Sequence, residues 1–322
     1  MRITTFLSAI TCVIVLALHA TILPGLPQQT TIRSEVSLVN VYFSALDKKG
    51  KPVNGLKAED FQVLENRVPQ KIEFFSETGK RQDMILTIAL LIDTSGSVKD
   101  KLRHEVATAS EFFREILRPK KDLALIIQFD SEVNLVQDYT QDLNKLDYAL
   151  NSVRAGGETS LYDAIYLASE EKLRDEAGRK VMVVISDGED TASLVSKEEA
   201  IESAQKSDAL IFGIGVRGRQ TGGGFGGVIG NGFGDLQRFC DETGGAFFSP
   251  EAKFGDIQEA FRSIRETLQG QYSLAYSPTD ETKDGTYRAI EVRCKNRGVR
   301  IRARKGYYAP KEEWVPGNPS SE

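Results

Sequence analysis

The chain has 322 residues, room for one large or two ordinary domains. With 40% hydrophobic and 27% charged residues, its composition is that of a folded protein and excludes an intrinsically disordered one. A formal net charge of -5 excludes a globally basic nucleic-acid binder, and no apolar segment after residue 30 is long enough for a second membrane span.

Residues 1–30 stand apart. Met1-Arg2 is a minimal basic start, and Ile3 to Leu23 is largely apolar and free of acids. The pattern reads as a signal peptide with a cleavage site at Ala20, although Leu18 is larger than the residue usually found two positions before. An uncleaved N-terminal anchor is the alternative. Both place the folded part outside the cytoplasm, as a periplasmic, secreted or envelope-anchored protein.

Residues 31–82 read as short strands. Val39, Val41 and Phe43 alternate, Asp47-Lys48-Lys49-Gly50 turns the chain, and the runs Phe61 to Glu65 and Ile72 to Phe75 follow, separated by Asn66 and Pro69. So small a sheet buries little core and needs a partner.

From residue 84 strands and helices alternate. Ile85 to Ile92 is an almost unbroken apolar run that ends in Asp93-Thr94-Ser95-Gly96-Ser97, as a buried parallel strand would. Leu102, Val106, Ala109, Phe113 and Ile116 then share one helix face. Leu123 to Phe129 is a second buried strand, Asn134 to Tyr139 a short one running back, and Leu143 to Val153 a helix. Leu161, Ala164, Ile165 and Ala168 mark another helix, and Val181 to Ile185 another buried strand, ending in Ser186-Asp187-Gly188. A helix with Ala200, Ile201 and Ala204 leads to a strand at Ala209 to Val216; a helix around Leu236 to Cys240 leads to a strand at Ala246 to Phe248. Ile257, Phe261, Ile264 and Leu268 line a last helix. This alternation predicts a doubly wound, mostly parallel Rossmann-like α/β sheet with helices on both faces.

After Gly270 strands return. Tyr272, Leu274 and Tyr276 alternate, and Tyr287 to Lys295 with Val299 to Lys305 reads as a hairpin around Asn296-Arg297-Gly298. Since neither β segment is large enough to be stable alone, residues 31–82 and 271–310 are expected to form one small β-sandwich, with the α/β part, residues 83–270, inserted between them. Residues 311–322 read as a loose tail. Between Lys283 and Lys311 ten Lys or Arg face two acids, and Arg300, Arg302 and Arg304 alternate with Val299, Ile301 and Ala303. The charges therefore share one sheet face, read as a solvated outer surface, with a polyanion or lipid-headgroup surface as the alternative.

Cys12 falls in the leader. Cys240 and Cys294 could pair in an exported protein, but both fit apolar faces, which favours two buried free thiols. The glycine-rich stretch Arg217 to Gly234 follows a parallel strand and is expected at the same sheet edge as Asp93. There it either shapes partner choice or has no role, and without Gly-Lys-Ser/Thr it does not read as a phosphate cradle.

Three segments combine a strand end or helix start with oxygen-bearing side chains: Asp93-Thr94-Ser95-Gly96-Ser97, Gly156-Gly157-Glu158-Thr159-Ser160, and Ser186-Asp187-Gly188. A carboxylate and two hydroxyls placed two residues apart can converge on one hard cation. Oxygen-only ligation suits Mg²⁺, Mn²⁺ or Ca²⁺ rather than zinc. Each segment alone also fits a plainer role: a helix N-cap in the first, where Thr, Ser and Asp are all favoured, a cap at Thr159 or Ser160 in the second, and a turn at Asp187-Gly188 in the third. Asp163 reads as a residue supporting the cluster or as a helix-dipole partner, Glu189 and Asp190 as solvated acids.

In their order, spacing and strand context these three segments resemble the metal-ion-dependent adhesion site of the von Willebrand factor type A domain, over residues 83–270. The resemblance implies that Asp93, Ser95 and Ser97 supply the first loop of a Mg²⁺ site, Thr159 the second and Asp187 the third, with an acidic residue of a protein partner completing the coordination. The flanking segments Gly55 to Phe61, Pro69 to Phe75 and Arg304 to Pro310 resemble those of exported type A domain proteins of acidobacteria. The expectation is a non-enzymatic, exported protein-binding module. The alternatives are an envelope scaffold with a structural metal, or a metal-dependent hydrolase. Against the hydrolase, His19 and His104 lie in the leader and on a helix, and no nucleophile–base pair is evident.

Overall fold

A computed structural model describes residues 38–77, 85–216, 232–249 and 256–311. The leader, the tail from residue 312 and residues 217–231 of the glycine-rich stretch lie outside the described residues. The last three residues of that stretch, Gly232 to Gly234, open a helix instead of ending a loop.

The N-terminal segment contributes β1 (Val39–Leu46), β2 (Phe61–Glu65), β3 (Val68–Gln70) and β4 (Phe74–Glu77). The α/β part then runs β5 (Leu86–Asp93), α1 (Leu102–Ile116), β6 (Leu123–Phe129), β7 (Val133–Thr140), α2 (Leu143–Ser152), α3 (Leu161–Leu167), β8 (Arg179–Ser186), α4 (Lys197–Lys206), β9 (Ala209–Gly215), α5 (Gly232–Thr243), β10 (Phe247–Phe248) and α6 (Asp256–Gln269). The C-terminal segment adds β11 (Tyr272–Tyr276), β12 (Tyr287–Cys294), β13 (Arg300–Ala303) and β14 (Gly306–Tyr308).

Among the described residues the strands form three sheets. The central one has the order β10-β9-β8-β5-β6-β7; its neighbours are parallel except β7, which runs back along β6. Every residue of β5 and β8 is buried, because helices cover both faces. Ile88, Leu90 and Ile92 pack with α1, α2 and α6 on one side, while Ala89 and Leu91 pack with α3, α4 and α5 on the other. The near-continuous apolar runs in the sequence are the direct expression of this two-sided burial.

The remaining strands make two antiparallel sheets, β13-β1-β11-β4 and β14-β12-β2-β3, each mixing N- and C-terminal segments. Phe43, Phe61, Val63, Tyr272, Leu274, Ile290 and Val292 form a shared core between them. Aromatic rings dominate it, with Phe43 stacked on Tyr272 and edge-on to Phe61 at 4.9 Å. Two details differ from the sequence reading. Pro69 lies within a strand, tolerated because β3 is an edge strand, where the missing N–H need not join a ladder. And β12 and β13 are not a hairpin: β12 pairs with β2 and β14, whereas β13 pairs with β1. The turn at Asn296–Gly298 carries the chain from one sheet to the other. Both strands still aim their apolar side chains at one core, which is why their alternation alone looked like a hairpin.

The sandwich meets the α/β part at the N-terminal edge of the parallel strands. Arg179, at the start of β8, is buried, donates to the carbonyl of Leu268 at 2.7 Å and to Gln271, and lies 5.8 Å from the Tyr42 ring. Arg304 bonds Asp208 at 2.6 Å and the carbonyl of Asn40. The expected solvated basic face is thus corrected: Arg300 is exposed, but Arg302 and Arg304 are half-buried, and Arg304 pairs with Asp208 at the start of β9. Across β1, Arg302 stands opposite Ser44, on the face turned away from the sandwich core. Cys240 and Cys294 are both free; Cys240 is buried and Cys294 only half-buried. Among the described residues no helix is long and apolar enough to cross a membrane.

Candidate metal centre

β5 is the point where the sheet order reverses. The chain leaves it through α1 on one face to reach β6, and later returns through α3 on the other face to reach β8 on the opposite side. The connections leaving the carboxyl ends of β5 and β8 therefore diverge, and a crevice opens there, as at other topological switch points of α/β sheets. Asp93 is the last residue of β5, and Asp187 follows the last residue of β8.

The loops at this edge are stapled together by backbone. Gly156 N–H donates to the Thr94 carbonyl at 2.7 Å and Gly96 N–H to the Gly157 carbonyl at 3.1 Å, joining the first and second loops. Thr191 and Ala192 both donate to the Thr159 carbonyl, and Thr191 Oγ1 accepts from Thr159 N–H at 2.9 Å, joining the second to the third. Gly157 has φ +85°, and a Cβ there would stand 2.7 Å from Ser131 Oγ, so the second loop can press against the end of β6 only with glycine.

Within this frame the side chains form a hydrogen-bonded chain. Asp93 accepts from Ser95 N–H at 2.8 Å on one oxygen and from Ser186 Oγ at 2.6 Å on the other. Ser95 and Ser97 hydroxyls are 3.0 Å apart, and Ser97 Oγ donates to Asp187 at 2.6 Å. Asp93, Ser95 and Thr159 are buried, Asp187 is half-buried and Ser97 exposed, so the cluster opens to solvent on the Ser97–Asp187 side. Thr159 joins through its loop, packed beside the first by the contacts above.

Burial pushes the Asp93 carboxyl up to about 6, against the hydrogen bonds from Ser186 and Ser95 and with the charge of Asp187. Glu105, in the first turn of α1, is fully buried, and neither of its oxygens has a hydrogen-bond partner among the described residues. Burial, then the charge of Asp93, pushes it up to about 8; Lys101 opposes this and Asp187 adds to it.

Sequence reasoning named Ser186 without giving it a role and did not single out Asp130 or Glu105. Ser186 holds Asp93, and Asp130, beyond the end of β6, accepts from Thr94 Oγ1 at 3.2 Å while its carbonyl takes Ser160 N–H. The signal for a fourth loop was present, since Phe129-Asp130-Ser131 also ends a buried strand in oxygen-bearing residues. Asp163 is occupied otherwise, accepting from the N–H groups of Leu194 and Val195. Asp190 accepts from Tyr162 N–H at 3.1 Å and so caps α3; Ser160, at the cap position, makes no capping bond and its hydroxyl is buried without a partner. Glu189 is exposed.

The model of the von Willebrand factor type A domain matches residues 87–262, from β5 into α6 and more than half of the chain. The chain belongs to this family. Three solved structures show what else the type A domain here is similar to. An aerotolerance-related membrane protein from Bacteroides fragilis shares 17% identity at a TM-score of 0.45, over 57% of this chain and 98% of that one. The vWF domain of the type V pili tip protein Mfa5 from Porphyromonas gingivalis shares 13% at 0.47, over 57% and 95%. Proximal thread matrix protein 1 from the mussel byssus, with a zinc-occupied adhesion-site motif, shares 16% at 0.47, over 60% and 47%. No curated protein matches the chain.

The donor set of this type A domain suits a hard divalent cation. It consists of oxygen alone, with two carboxylates to balance two positive charges and neutral hydroxyls to complete the shell. Among the described residues no group of three or more His, Cys, Asp and Glu is placed to hold a metal ion by itself. The carboxylate of Glu105 and the Ser160 hydroxyl are buried polar groups without a hydrogen-bond partner among the described residues.

Proposed function

We propose that this protein is an exported, non-enzymatic module that captures a protein partner through a divalent cation held by Asp93, Ser95, Ser97, Thr159 and Asp187. Mg²⁺ is the first choice, with Mn²⁺ or Ca²⁺ as substitutes of the same hard-oxygen class. The observation that carries the reading is the continuous chain from Asp93 through Ser95 and Ser97 to Asp187, which bridges the ends of β5 and β8 and opens to solvent at its outer end. Two carboxylates neutralise the ion while hydroxyls donate weakly, so the cation keeps electrophilic character. An acidic side chain of the partner replaces a bound water at the open side.

The same proposal divides the chain into a leader or anchor at residues 1–30, a sandwich built from 31–82 and 271–310, the type A domain at 83–270, and a tail. It also places the chain with the exported acidobacterial-type group that its flanks resemble. The test is capture of a partner from envelope extract in Mg²⁺ and in chelator, by the wild type and by Thr159→Ala. The expected result is capture in Mg²⁺ that chelator releases and Thr159→Ala weakens, with far-ultraviolet circular dichroism unchanged in both. Capture at full strength in chelator refutes the proposal; turnover of generic phosphate or ester substrates would refute its non-enzymatic part.

A further inference from the structure

α1 presents Leu102, Val106, Ala109, Phe113 and Ile116 to the sheet, an apolar stripe as expected of a helix over a parallel sheet. Glu105 interrupts that stripe. It lies one turn after Lys101, is 0% exposed, and has no hydrogen-bond partner on either oxygen among the described residues. A carboxylate in that position is expensive: bulk water is excluded, and nothing among the described residues replaces it. An apolar residue would fill the same place without that penalty, so packing alone does not account for an acid here.

The charges facing Glu105 show where it acts. Asp93 and Asp187, the two carboxylates of the candidate centre, and Lys101, one turn earlier on its own helix, are the groups whose charge it feels. It lies in the first turn of α1, the helix into which the first loop runs, whereas Ser97 and Asp187 form the solvent-facing end of the cluster. Both oxygens of Asp93 are already engaged by Ser95 and Ser186, so Asp93 has little left to offer to water bound on its side of an ion.

We propose that Glu105 is a third carboxylate of the cation site, a positioning residue that accepts a hydrogen bond from a water of the bound cation on its buried side. This rests on the metal reading above and adds to it a residue that none of the three loops contains. Mg²⁺ retains waters in most protein sites, and each inner water needs an acceptor for its protons. With Glu105 in that role, the orphaned carboxylate is an acceptor waiting for a donor that arrives with the ion, and the site carries one more negative charge than the ion carries positive. That surplus tightens the hold on the cation while the outer position stays open.

The experiment compares the wild type, Glu105→Gln, Glu105→Leu and Asp187→Ala by calorimetry with Mn²⁺ and by melting in chelator. Glu105→Gln should bind Mn²⁺ at least about tenfold more weakly, in line with the losses seen when outer-shell partners of metal ligands are removed. Glu105→Leu should also melt higher than the wild type in chelator, because it removes a buried polar group that has no partner among the described residues. A purely structural acid would move the melting point and leave the affinity alone. Wild-type Mn²⁺ affinity in Glu105→Gln and Glu105→Leu, with Asp187→Ala defective, overturns the role of Glu105 and leaves the site reading standing. Absence of Mn²⁺ binding by the wild type overturns both.

Discussion

Glu65 offers a sharp test of how the two β segments depend on each other. It ends β2 in the N-terminal segment, is 2% exposed, and is surrounded by C-terminal residues: it accepts from Tyr276 Oη at 2.8 Å and Tyr307 Oη at 2.9 Å and lies 3.5 Å from the Arg288 guanidinium. Arg288 is equally buried, its other donors turned to the carbonyls of Asp280 and Thr282. Burial and the bond to Glu65 push the Tyr307 phenol up to about 12, a sign that it is held as a donor. Glu65→Ala removes one of the two carboxylates within 3.5 Å of the buried guanidinium, Asp280 being the other, and leaves two phenols without their acceptor, for a total of about 5 kcal/mol. In a chain of this size that lowers the melting temperature by roughly 10–20 °C. Glu65→Gln keeps the shape and one acceptor and should lose about half as much. Urea unfolding followed by circular dichroism measures both, and a double-mutant cycle of Glu65→Ala with Tyr307→Phe should give a coupling of about 1–3 kcal/mol. A loss below about 1 kcal/mol, or strict additivity in the cycle, would refute the reasoning that one buried network ties the two segments together.

The remaining predictions concern the candidate centre. Because Asp93 is held above the usual carboxylate range, at about 6, its protonated form is favoured in the folded, cation-free protein. That contribution to stability is full below about pH 4 and is lost as pH rises through about 6, on the order of 3 kcal/mol. Melting in chelator should therefore fall between pH 4.5 and 7.5, saturating Mg²⁺ should reverse the slope, and parallel curves with and without Mg²⁺ would count against a cation at Asp93. Gly157→Ala forces a Cβ to within 2.7 Å of Ser131 Oγ at a φ of +85°, and should destabilise by about 1–3 kcal/mol and weaken Mg²⁺ binding; wild-type affinity by calorimetry would show that the second loop does not set the site.

Much of the fold was legible because burial on two faces leaves a strong mark. β5 and β8 are apolar nearly throughout, and the helix stripes at Leu102 to Ile116 and Ile257 to Leu268 lie in the core as their spacing demands. That Asp93, Ser95, Ser97 and Asp187 come together at one sheet edge was legible because each lies at or just past the carboxyl end of a buried parallel strand. What failed was non-local. Alternation tells which face of a strand is apolar, but not which sheet takes the strand, so β12 and β13 were paired with each other although each completes a different sheet. The same limit hid the surroundings of Arg302 and Arg304: their shared face was correct, and its neighbour is the α/β layer instead of water. Glu105 was hidden by its type, since a charged residue beside an apolar stripe is by default assigned to solvent.

The placement of the sandwich narrows where a partner can dock. Arg179 and Arg304 fasten it at the N-terminal edge of the sheet, while the candidate centre lies beyond the carboxyl ends of β5 and β8. Arg179 and Ser186 are the two ends of one strand, and at about 3.3 Å per residue they stand roughly 23 Å apart. At that separation charges of the sandwich are screened from the centre at physiological salt, where the Debye length is about 8 Å. Two of the three alternating arginines are drawn into the junction, so the basic face is a poor second docking surface. Within the centre, Asp93 is buried with both oxygens engaged, whereas Ser97 is exposed and Asp187 half-exposed. On the proposal above, an incoming carboxylate would therefore reach the ion past Ser97 and Asp187, not past Asp93. On the same proposal, substitutions at the inner end would act on the ion and only through it on the partner, and those at the outer end on the partner directly.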